Sequence, residues 1–449
     1  MTERRKTTLG EICRRQNGSI QTGPFGSQLH ASDYIAIGTP VVMPVNISDG
    51  RIDERDIARI SDENVERLAR HKLAYGDIVF SRRGDVTRFA AVSERETGWV
   101  CGTGCLKVSI GTPAVATSEF IATALASPDS KEWLIRHAVG ATMPNLNTEI
   151  LASVPITLPP IEEQRAIAHI LGTLDDKIEL NRQQNATLEA MARALFKAWF
   201  VDFDPVKAKI AARAEGRDPL RAAMSAISGS PDAELDTLPP EAFNQLATTA
   251  ALFPDEMEES ELGDIPRGWS VSKVETLLSR LSAKARYTKE QVSAYGQIPV
   301  FEQGASILLG YHNRAASYPA SAESPMFIFG DHTCVTRLSC QPFDISQNVI
   351  PLQGKNRATA WVYYAVKEKQ KFQEYRRHWM ELISKDVAVA TADTCLEFSQ
   401  RIMKLHLQIE ANERQMQSLQ ELRDTLLPKL LSGELRVPDT EAFLQKVAP

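Results

Sequence analysis

Two similar stretches of the chain decide how it folds. Residues 177–200 read KIELNRQQNATLEAMARALFKAWF, and residues 408–431 read QIEANERQMQSLQELRDTLLPKLL. Six residues recur at a constant separation of 231 positions: Ile178, Glu179, Asn181, Gln184, Leu188 and Leu195 return as Ile409, Glu410, Asn412, Gln415, Leu419 and Leu426. An internal repeat of this kind indicates two copies of one structural unit.

Both copies carry an apolar stripe with alternating four- and three-residue steps, the pattern of a coiled-coil seam. The positions in the first copy are Ile167, Leu171, Leu174, Ile178, Asn181, Asn185, Leu188, Ala192, Leu195 and Trp199. Those in the second are Phe398, Ile402, Leu405, Ile409, Asn412, Met416, Leu419, Arg423, Leu426 and Leu430. We expect two long helices, over residues 158–201 and 398–436, that pair antiparallel. Asn181 should lie opposite Asn412, where a buried polar pair fixes the register. The alternative is that each helix packs only on its own domain.

The rest of the chain differs in kind from the helices. Residues 1–157 and 265–397 contain short β-rich runs, such as VVMPVNI and MFIFGDHT, broken by Gly and Pro. Each then continues into mixed helical stretches, for example WVYYAVKEKQKFQEYRRHW. Residues 202–264 are Pro-rich and acidic, which indicates a connector with short helical pieces rather than a domain, and residues 437–449 form a tail. We predict an α+β fold with two globular domains, separated by two long helices in an antiparallel coiled coil, as a pseudo-twofold internal repeat.

The charge distribution permits binding to nucleic acid. The net charge is -6, but residues 231–264 hold ten acidic residues and no Lys or Arg, so the rest of the chain carries +4. No apolar run is long enough to span a bilayer, and the N-terminal residues lack the apolar core of a signal peptide. The six cysteines are scattered, with no CxxC pair. We therefore expect a cytoplasmic protein with reduced thiols, no metal site and no membrane contact.

Several further motifs together resemble the specificity subunit of type I restriction-modification systems. The first domain contains TGPFGSQLHASDY, YGDIVFSRRGD and NLNTEILASVPITLPPIEEQRAIAHIL. AWFVDFDPVKAK, ELGDIPRGWSV and LRDTLLPKLLSGELRV follow in order, so the resemblance covers nearly the whole chain. The second domain departs from the pattern. It lacks a GPFGS-like opening, and TADTCLEFSQRIM stands where a copy of LPPIEEQ is expected.

The resemblance implies a non-catalytic subunit. Its two target-recognition domains would read a bipartite, asymmetric site in double-stranded DNA. It would bind two methyltransferase subunits, and restriction subunits that translocate DNA would join the complex. S-adenosylmethionine, ATP and magnesium would belong to those partners, and this chain would hold no cofactor. A rival hypothesis is a coiled-coil scaffold whose repeated domains bind protein, and a third is an enzyme fused to recognition domains.

Catalytic motifs are missing from the sequence, which disfavours an enzyme. The nearest strings to the (N/D)PP(Y/F) element of amino-methyltransferases are LPPI from Leu158 and LPPE from Leu238, and both lack the polar and aromatic residues. No Gly-rich phosphate loop of Walker form is present. A nuclease-like set of carboxylates could be assembled from Asp129, Asp175 and Asp176. Its second part falls on the seam helix, where a solvated position is the simpler interpretation.

Reading DNA requires side chains that donate to base edges and cations that hold phosphates. The candidates in the first domain are Ser27, Gln28, His30, Asn46, Arg82, Arg83 and Arg88. Those in the second are Gln303, His312, Asn313, Arg314, His332, Arg337, Gln347 and Lys355. An ordinary role in a polar loop is the alternative for each of them.

Overall fold

A computed structural model describes residues 4–440 apart from positions 27, 49, 141, 283 and 305. It contains two compact units. The first comprises Met1–Lys177 and Leu419–Pro449, and the second comprises Ile178–Ser418. We call their globular parts the first and second domains.

The first domain is built from twelve described strands and five short helices. The strands are β1 (Arg5–Thr8), β2 (Ser19–Thr22), β3 (Tyr34–Ile35), β4 (Thr39–Val42), β5 (Ile47–Ser48), β6 (Arg51–Ile52), β7 (Arg59–Ile60), β8 (Ile78–Ser81), β9 (Phe89–Ala91), β10 (Val100–Cys101), β11 (Cys105–Ser109) and β12 (Pro155–Leu158). The helices are α1 (Leu9–Arg15), α2 (Asp62–Arg67), α3 (Ser118–Leu125), α4 (Pro128–His137) and α5 (Thr148–Ala152). The first long helix, α6 (Ile161–Phe200), follows β12.

The central sheet of the first domain has the order β2-β11-β8-β9, and every neighbouring pair is antiparallel. All four residues of β8, with the sequence IVFS, are buried, as expected for an apolar strand covered on both faces. A second sheet has the order β10-β4-β7-β3. Phe80, Leu106 and Phe120 lie in the core of the domain, and Leu426 and Leu430 from the second repeat pack into the same core.

The segment between the two domains, expected as a connector with short helical pieces, consists of short helices. It forms the helices α7 (Asp204–Ala214), α8 (Pro219–Ser228), α9 (Asp232–Leu235) and α10 (Pro240–Ala251). Pro205, Pro219 and Pro240 stand in the first turn of a helix, where proline is tolerated, so they begin helices rather than interrupt them. Met224 and Leu235 lie in a small core of this segment's own.

The second domain has eleven described strands and three short helices. The strands are β13 (Met257–Ser260), β14 (Gly263–Pro266), β15 (Ser270–Lys273), β16 (Leu278–Arg280), β17 (Ile298–Phe301), β18 (Leu308–His312), β19 (Met326–Gly330), β20 (Thr336–Ser339), β21 (Asp344–Ile345), β22 (Val349–Gly354) and β23 (Asp386–Val389). The helices are α11 (Val274–Leu277), α12 (Thr359–Val366) and α13 (Trp379–Ile383). The second long helix, α14 (Ala392–Ser432), begins six residues before the expected start at position 398. The Thr391 hydroxyl accepts from the Thr394 N–H and so caps the helix at this earlier point.

The two domains share one topology although their sequences diverge. The second domain's central sheet has the order β16-β22-β19-β20, strand for strand the antiparallel arrangement of β2-β11-β8-β9. Likewise β15 pairs with β23 as β1 pairs with β12. Both β23 and α14 begin 231 residues after β12 and α6, so the repeat includes the strand before each long helix. The structure therefore supplies the alignment of the second domain that the sequence left open.

The long helices pair antiparallel, as predicted, and none of the twenty seam positions is exposed. In the first unit, Arg423 donates to Asp175 at 2.7 Å. In the second unit, Asn181 donates to Gln415 and Asn412 donates to Asn185, both at 2.8 Å. As the residue number on α6 rises from 175 to 185, the number of its partner on α14 falls from 423 to 412, which is the antiparallel direction.

The predicted pairing of Asn181 with Asn412 is wrong by about one helical turn. Gln415, which Asn181 contacts, is the repeat counterpart of Gln184. In an antiparallel pair of equivalent helices, one position lies opposite its own repeat counterpart. Here that position falls between Asn181 and Gln184 in the first copy and between Asn412 and Gln415 in the second. Asn181 and Asn412 are nevertheless both buried at the helix pair, at 0% and 5% exposure.

Candidate nucleic-acid interface

The first domain gathers several loops at one edge of its central sheet. The register pairs Thr22 with Leu106, and Ser81 with Cys105, so β2 and β8 end where β11 begins. The loop after β2 and the hairpin loop 82–88 between β8 and β9 therefore leave the sheet on the same side. We call this side, with residues 142–146 that pack on the hairpin, the first edge.

Backbone hydrogen bonds hold the first edge together. Arg82 N–H donates to the Gly104 carbonyl at 2.9 Å, and Leu146 N–H donates to the Arg82 carbonyl at 2.9 Å. Gly84 N–H donates to the Pro144 carbonyl at 3.1 Å. The hairpin loop is thus fixed by its main chain, which leaves the exposed side chain of Arg83 available to a ligand.

The two arginines of this hairpin remain candidates for DNA contact. Arg83 is exposed, and its guanidinium makes no hydrogen bond or ion pair within the part of the chain that the structure describes. Arg82 is half-buried, and its Nε has no hydrogen-bond partner among those residues. Both cations therefore have donor capacity that the protein itself does not use.

The structure gives two other candidates of the first domain an internal role. Asn46 is buried, accepts from the Met43 N–H at 3.0 Å and donates to the Asp53 carbonyl at 3.2 Å. Arg88 donates to the Ile47 carbonyl. We correct both assignments, because polar atoms satisfied inside the fold are unavailable to base edges.

The remaining candidates of the first domain lie in the loop after β2. Gln28 accepts from the Phe25 N–H at 3.2 Å and so closes the GPFG turn. His30 is exposed at the start of a short 3₁₀ turn. Ser27 lies outside the described residues. His30 is exposed to a ligand, whereas Gln28 is half-buried and partly engaged.

The second domain has an equivalent edge. Gly330 pairs with Val349, so the loop 331–335 between β19 and β20 occupies the place of the hairpin loop 82–88. His332 N–H donates to Gln303 Oε1 at 2.9 Å, and Gln303 Nε2 lies 3.3 Å from His332 Nδ1. Asp331 N–H donates to the carbonyl of Asn348, next to the exposed Gln347. The structure thus brings Gln303, His332 and Gln347 together at this second edge.

Two predicted DNA ligands of the second domain are structural instead. His312 is buried, lies 3.0 Å from Asp344 through Nε2 and accepts from the Arg314 N–H at 3.1 Å through Nδ1. Arg337 forms an ion pair with Glu413 and covers the ring of Phe301 at 4.8 Å. We correct both assignments, because the fold already uses the polar atoms that would contact a base.

The contacts described above do not bring the three remaining candidates, Asn313, Arg314 and Lys355, to the second edge. Asn313 accepts from the Gln297 N–H at 2.9 Å, and Arg314 follows it as an exposed residue of the same turn. Lys355 comes after β22, at the end of the sheet opposite Val349. A six-residue strand is about 20 Å long, so Lys355 cannot act with His332 on one short site.

Residues 371–377, with the sequence KFQEYRR, border the second edge and were not among the predicted DNA ligands. We expected this stretch to be helical, but the preceding helix α12 ends at Val366, and all seven residues are exposed. The interleaved cations and aromatic residues were the available signal, because that composition suits a surface that binds nucleic acid.

The cysteines, the possible metal ligands and the helices give no further functional site within the residues that the structure describes. Burial raises the pKa of the Cys13 thiol to about 11 and that of Cys101 to about 12, so both stay protonated. All six cysteines are free thiols. Within the described ranges, no cluster of His, Cys, Asp or Glu has the makings of a metal site. Across those same residues, no helix combines the length and apolarity needed to cross a membrane.

Comparison with known proteins places this architecture. Residues 5–190 match the family model described as the type I restriction modification DNA specificity domain. The HindI specificity subunit of Haemophilus influenzae is 28% identical over 87% of this chain and 94% of its own length. The MjaIX specificity subunit of Methanocaldococcus jannaschii is 24% identical over 72% of this chain and 70% of its own.

A solved structure supports the fold along the full length. The S subunit of a type I restriction-modification system from M. genitalium aligns with 96% of both chains, at a TM-score of 0.50 and 15% identity. At this identity the likeness concerns the fold alone. The matched domain and the two relatives above make the chain similar, over most of its length, to specificity subunits of type I restriction-modification systems.

Proposed function

We propose that this chain reads a bipartite, asymmetric site in double-stranded DNA, one half-site at each edge. The observation that carries the proposal is the repeated topology. Each domain presents loops at the same end of an equivalent four-stranded sheet, and each edge carries an exposed donor, Arg83 in one and Gln347, near the half-buried His332, in the other. Because the two edges differ in sequence, the two half-sites differ.

The chemistry of each edge suits DNA. A guanidinium can donate two parallel hydrogen bonds to a guanine edge, and an amide can both donate to and accept from adenine. Cations that contact phosphates supply affinity but no sequence information. Arg82 and Arg83 therefore serve the first half-site, as base or phosphate contacts, and Gln303, Gln347 and His332 serve the second.

The chain itself performs no chemistry in this proposal. Two methyltransferase subunits dock on it and carry S-adenosylmethionine, and restriction subunits bring ATP and magnesium. The complex works in the cytoplasm, where its DNA substrate lies. The chain contributes the order and spacing of the two reading edges.

A binding experiment with the assembled complex tests this function. The modified adenines in a genome that carries the system define the target sequence. The chain, co-expressed with its methyltransferase, should bind a duplex with that sequence at least about a thousandfold more tightly than a scrambled duplex at physiological salt. Equal affinity for the two duplexes would refute the proposal and favour a protein-binding scaffold.

A further inference from the structure

We propose that residues 371–377, which we call the arm, are the main DNA-contacting segment of the second recognition domain. The inference rests on the proposed function and deepens it by naming the surface that binds the second half-site. Phe372 is 53% exposed and Tyr375 is 75% exposed. Large aromatic side chains beside Lys371 and Arg377 are costly to leave in water unless they serve a binding surface.

Ion pairs fix the N-terminal side of the arm on α6. Lys367 contacts Glu189 at 3.0 Å and the Tyr363 hydroxyl at 2.8 Å. Glu368 contacts Arg193 at 3.2 Å. The chain therefore leaves α12 in a defined direction before it reaches the arm.

The C-terminal side of the arm is fixed on the loop between β19 and β20. His378 N–H donates to the Asp331 carbonyl at 2.8 Å, and Trp379 N–H donates to Asp331 Oδ1 at 3.0 Å. The His378 ring is fully buried, and its Nε2 lies 3.0 Å from the Glu374 carbonyl. With both ends held, the arm is preorganised, so binding loses less conformational entropy than it would for a loose loop.

Two of the three cations in the arm are available to phosphates. Arg376 is engaged with Glu374 at 2.8 Å and with Glu381, so it maintains the shape of the arm. Arg377 is 80% exposed and approaches Asp331 only at 3.8 Å. Lys371 is exposed and has no side-chain partner in the portion of the chain that the structure describes.

An aromatic pair joins the arm to the second edge. The Tyr375 ring stacks on His332, with centroids 4.8 Å apart and planes 15° apart. His332 in turn is held by Gln303 through its backbone N–H at 2.9 Å. Tyr375, His332 and Gln303 thus form one connected group of donors and acceptors beside the exposed cations Lys371 and Arg377. This arrangement places base contacts next to phosphate contacts, as sequence-specific reading requires.

The position of the arm agrees with the repeat. In the first domain, residues 142–146 bond to the hairpin loop through Gly84 and Arg82. The arm bonds to the equivalent hairpin loop through Asp331. The two segments follow equivalent strands and border equivalent edges, although they share no sequence motif.

The test uses the complex of the full chain with its methyltransferase and a duplex that contains the mapped target. In the variant Lys371→Gln/Arg377→Gln, affinity should fall about tenfold at physiological salt, and the slope of log affinity against log salt should decrease by about two. The matched control Lys207→Gln/Lys385→Gln removes two exposed lysines of the same unit that lie outside both edges. It should change neither quantity.

Tyr375→Ala separates base contact from charge. It should reduce discrimination between the target and a duplex with a scrambled second half-site, while the salt slope and the discrimination at the first half-site stay unchanged. An unchanged affinity in the cation variant, or an equal loss in the control, would overturn the role of the arm. If the unmodified complex fails to distinguish target from scrambled DNA, the proposed function itself is wrong, which is a separate outcome.

Discussion

The two edges have the same topology but carry their positive charge on different segments. At the first edge, Arg82 and Arg83 lie on the hairpin loop, and residues 142–146 contain no Lys or Arg. At the second edge, the hairpin loop 331–335 has no Lys or Arg, and the cations lie on the arm. Both domains repeat the strand order and the backbone bonds that hold the edge, whereas the Lys and Arg residues lie on the hairpin loop in one domain and on the arm in the other. This difference shows how one fold can serve two unlike half-sites without changing its framework.

The largest effect should come from the hairpin cations of the first edge. Arg82→Ala/Arg83→Ala should weaken binding to the complete target about a hundredfold, since each arginine lost from a base edge costs about 1–3 kcal/mol. Base preferences in the second half-site should persist. Competition binding with duplexes altered in one half at a time measures this, and altered preferences in both halves would contradict separate edges.

A smaller loss should follow from freeing the arm at its C-terminal anchor. Asp331→Ala removes the acceptor of the Trp379 N–H and should lower affinity for the second half-site about tenfold, with a loss of about 1–3 kcal/mol in unfolding free energy. Asp331→Asn, which retains an acceptor oxygen, should restore most of both. Binding and denaturant unfolding, measured on the same samples, would disprove the anchoring role if the two variants behaved alike.

Acidification should destabilise the second unit. Burial lowers the pKa of His406 to about 4, and Glu189, Lys367 and Arg337 surround it. The unfolded chain takes up this proton near pH 6.5, whereas the folded chain resists it until about 4, so stability falls as the pH drops through that window. In His406→Gln, the unfolding midpoint of the second unit should fall less between pH 7 and pH 5 than in the unmodified chain. An identical decline in both would exclude His406 as a source of acid sensitivity.

The smallest effect on recognition should come from the polar layer that the helices share. Asn181 and Gln415 are hydrogen-bonded at 2.8 Å, yet Asn181 Oδ1 has no partner within the described residues. Asn181→Leu should leave stability unchanged or raise it by about 1–2 kcal/mol, because Asn181 is buried and a buried polar group often contributes less than apolar packing, whereas the exposed Gln415 keeps its contact with water. Calorimetry and target binding measure the outcome. A change in base preference at either half-site would mean that the framework itself takes part in reading.

How far the sequence could predict this molecule depends on periodicity. The seam from Ile167 to Trp199 and its copy were visible because a 231-residue repeat preserves apolar spacing, and such spacing survives divergence. The pairing of Asn181 was missed by one turn because spacing fixes which face of a helix is buried but not the point where two helices cross. That point depends on packing at both ends, which a single stretch does not contain.

The candidate site was less predictable because burial decides whether a polar residue is free. Asn46, His312 and Arg337 are polar loop candidates like Arg83, yet each is engaged by a partner inside the fold: Met43 and Asp53 for Asn46, Asp344 for His312 and Glu413 for Arg337. The arm was missed for a related reason. Its residues suit a helix in isolation, but Lys367 and His378 fix its ends to elements distant in sequence, and the residues between them form bends rather than a helix.

Photo-cross-linking to one target duplex tests the central claim most directly. A photoreactive residue would replace Arg83 in one sample, Tyr375 in a second and Lys355 in a third, each in the complex of the full chain with its methyltransferase. The account predicts that cross-links from position 83 map to one half-site, that those from position 375 map to the other, and that position 355 gives none. Cross-links from positions 83 and 375 in the same half-site, or equally strong cross-linking from position 355, would contradict it.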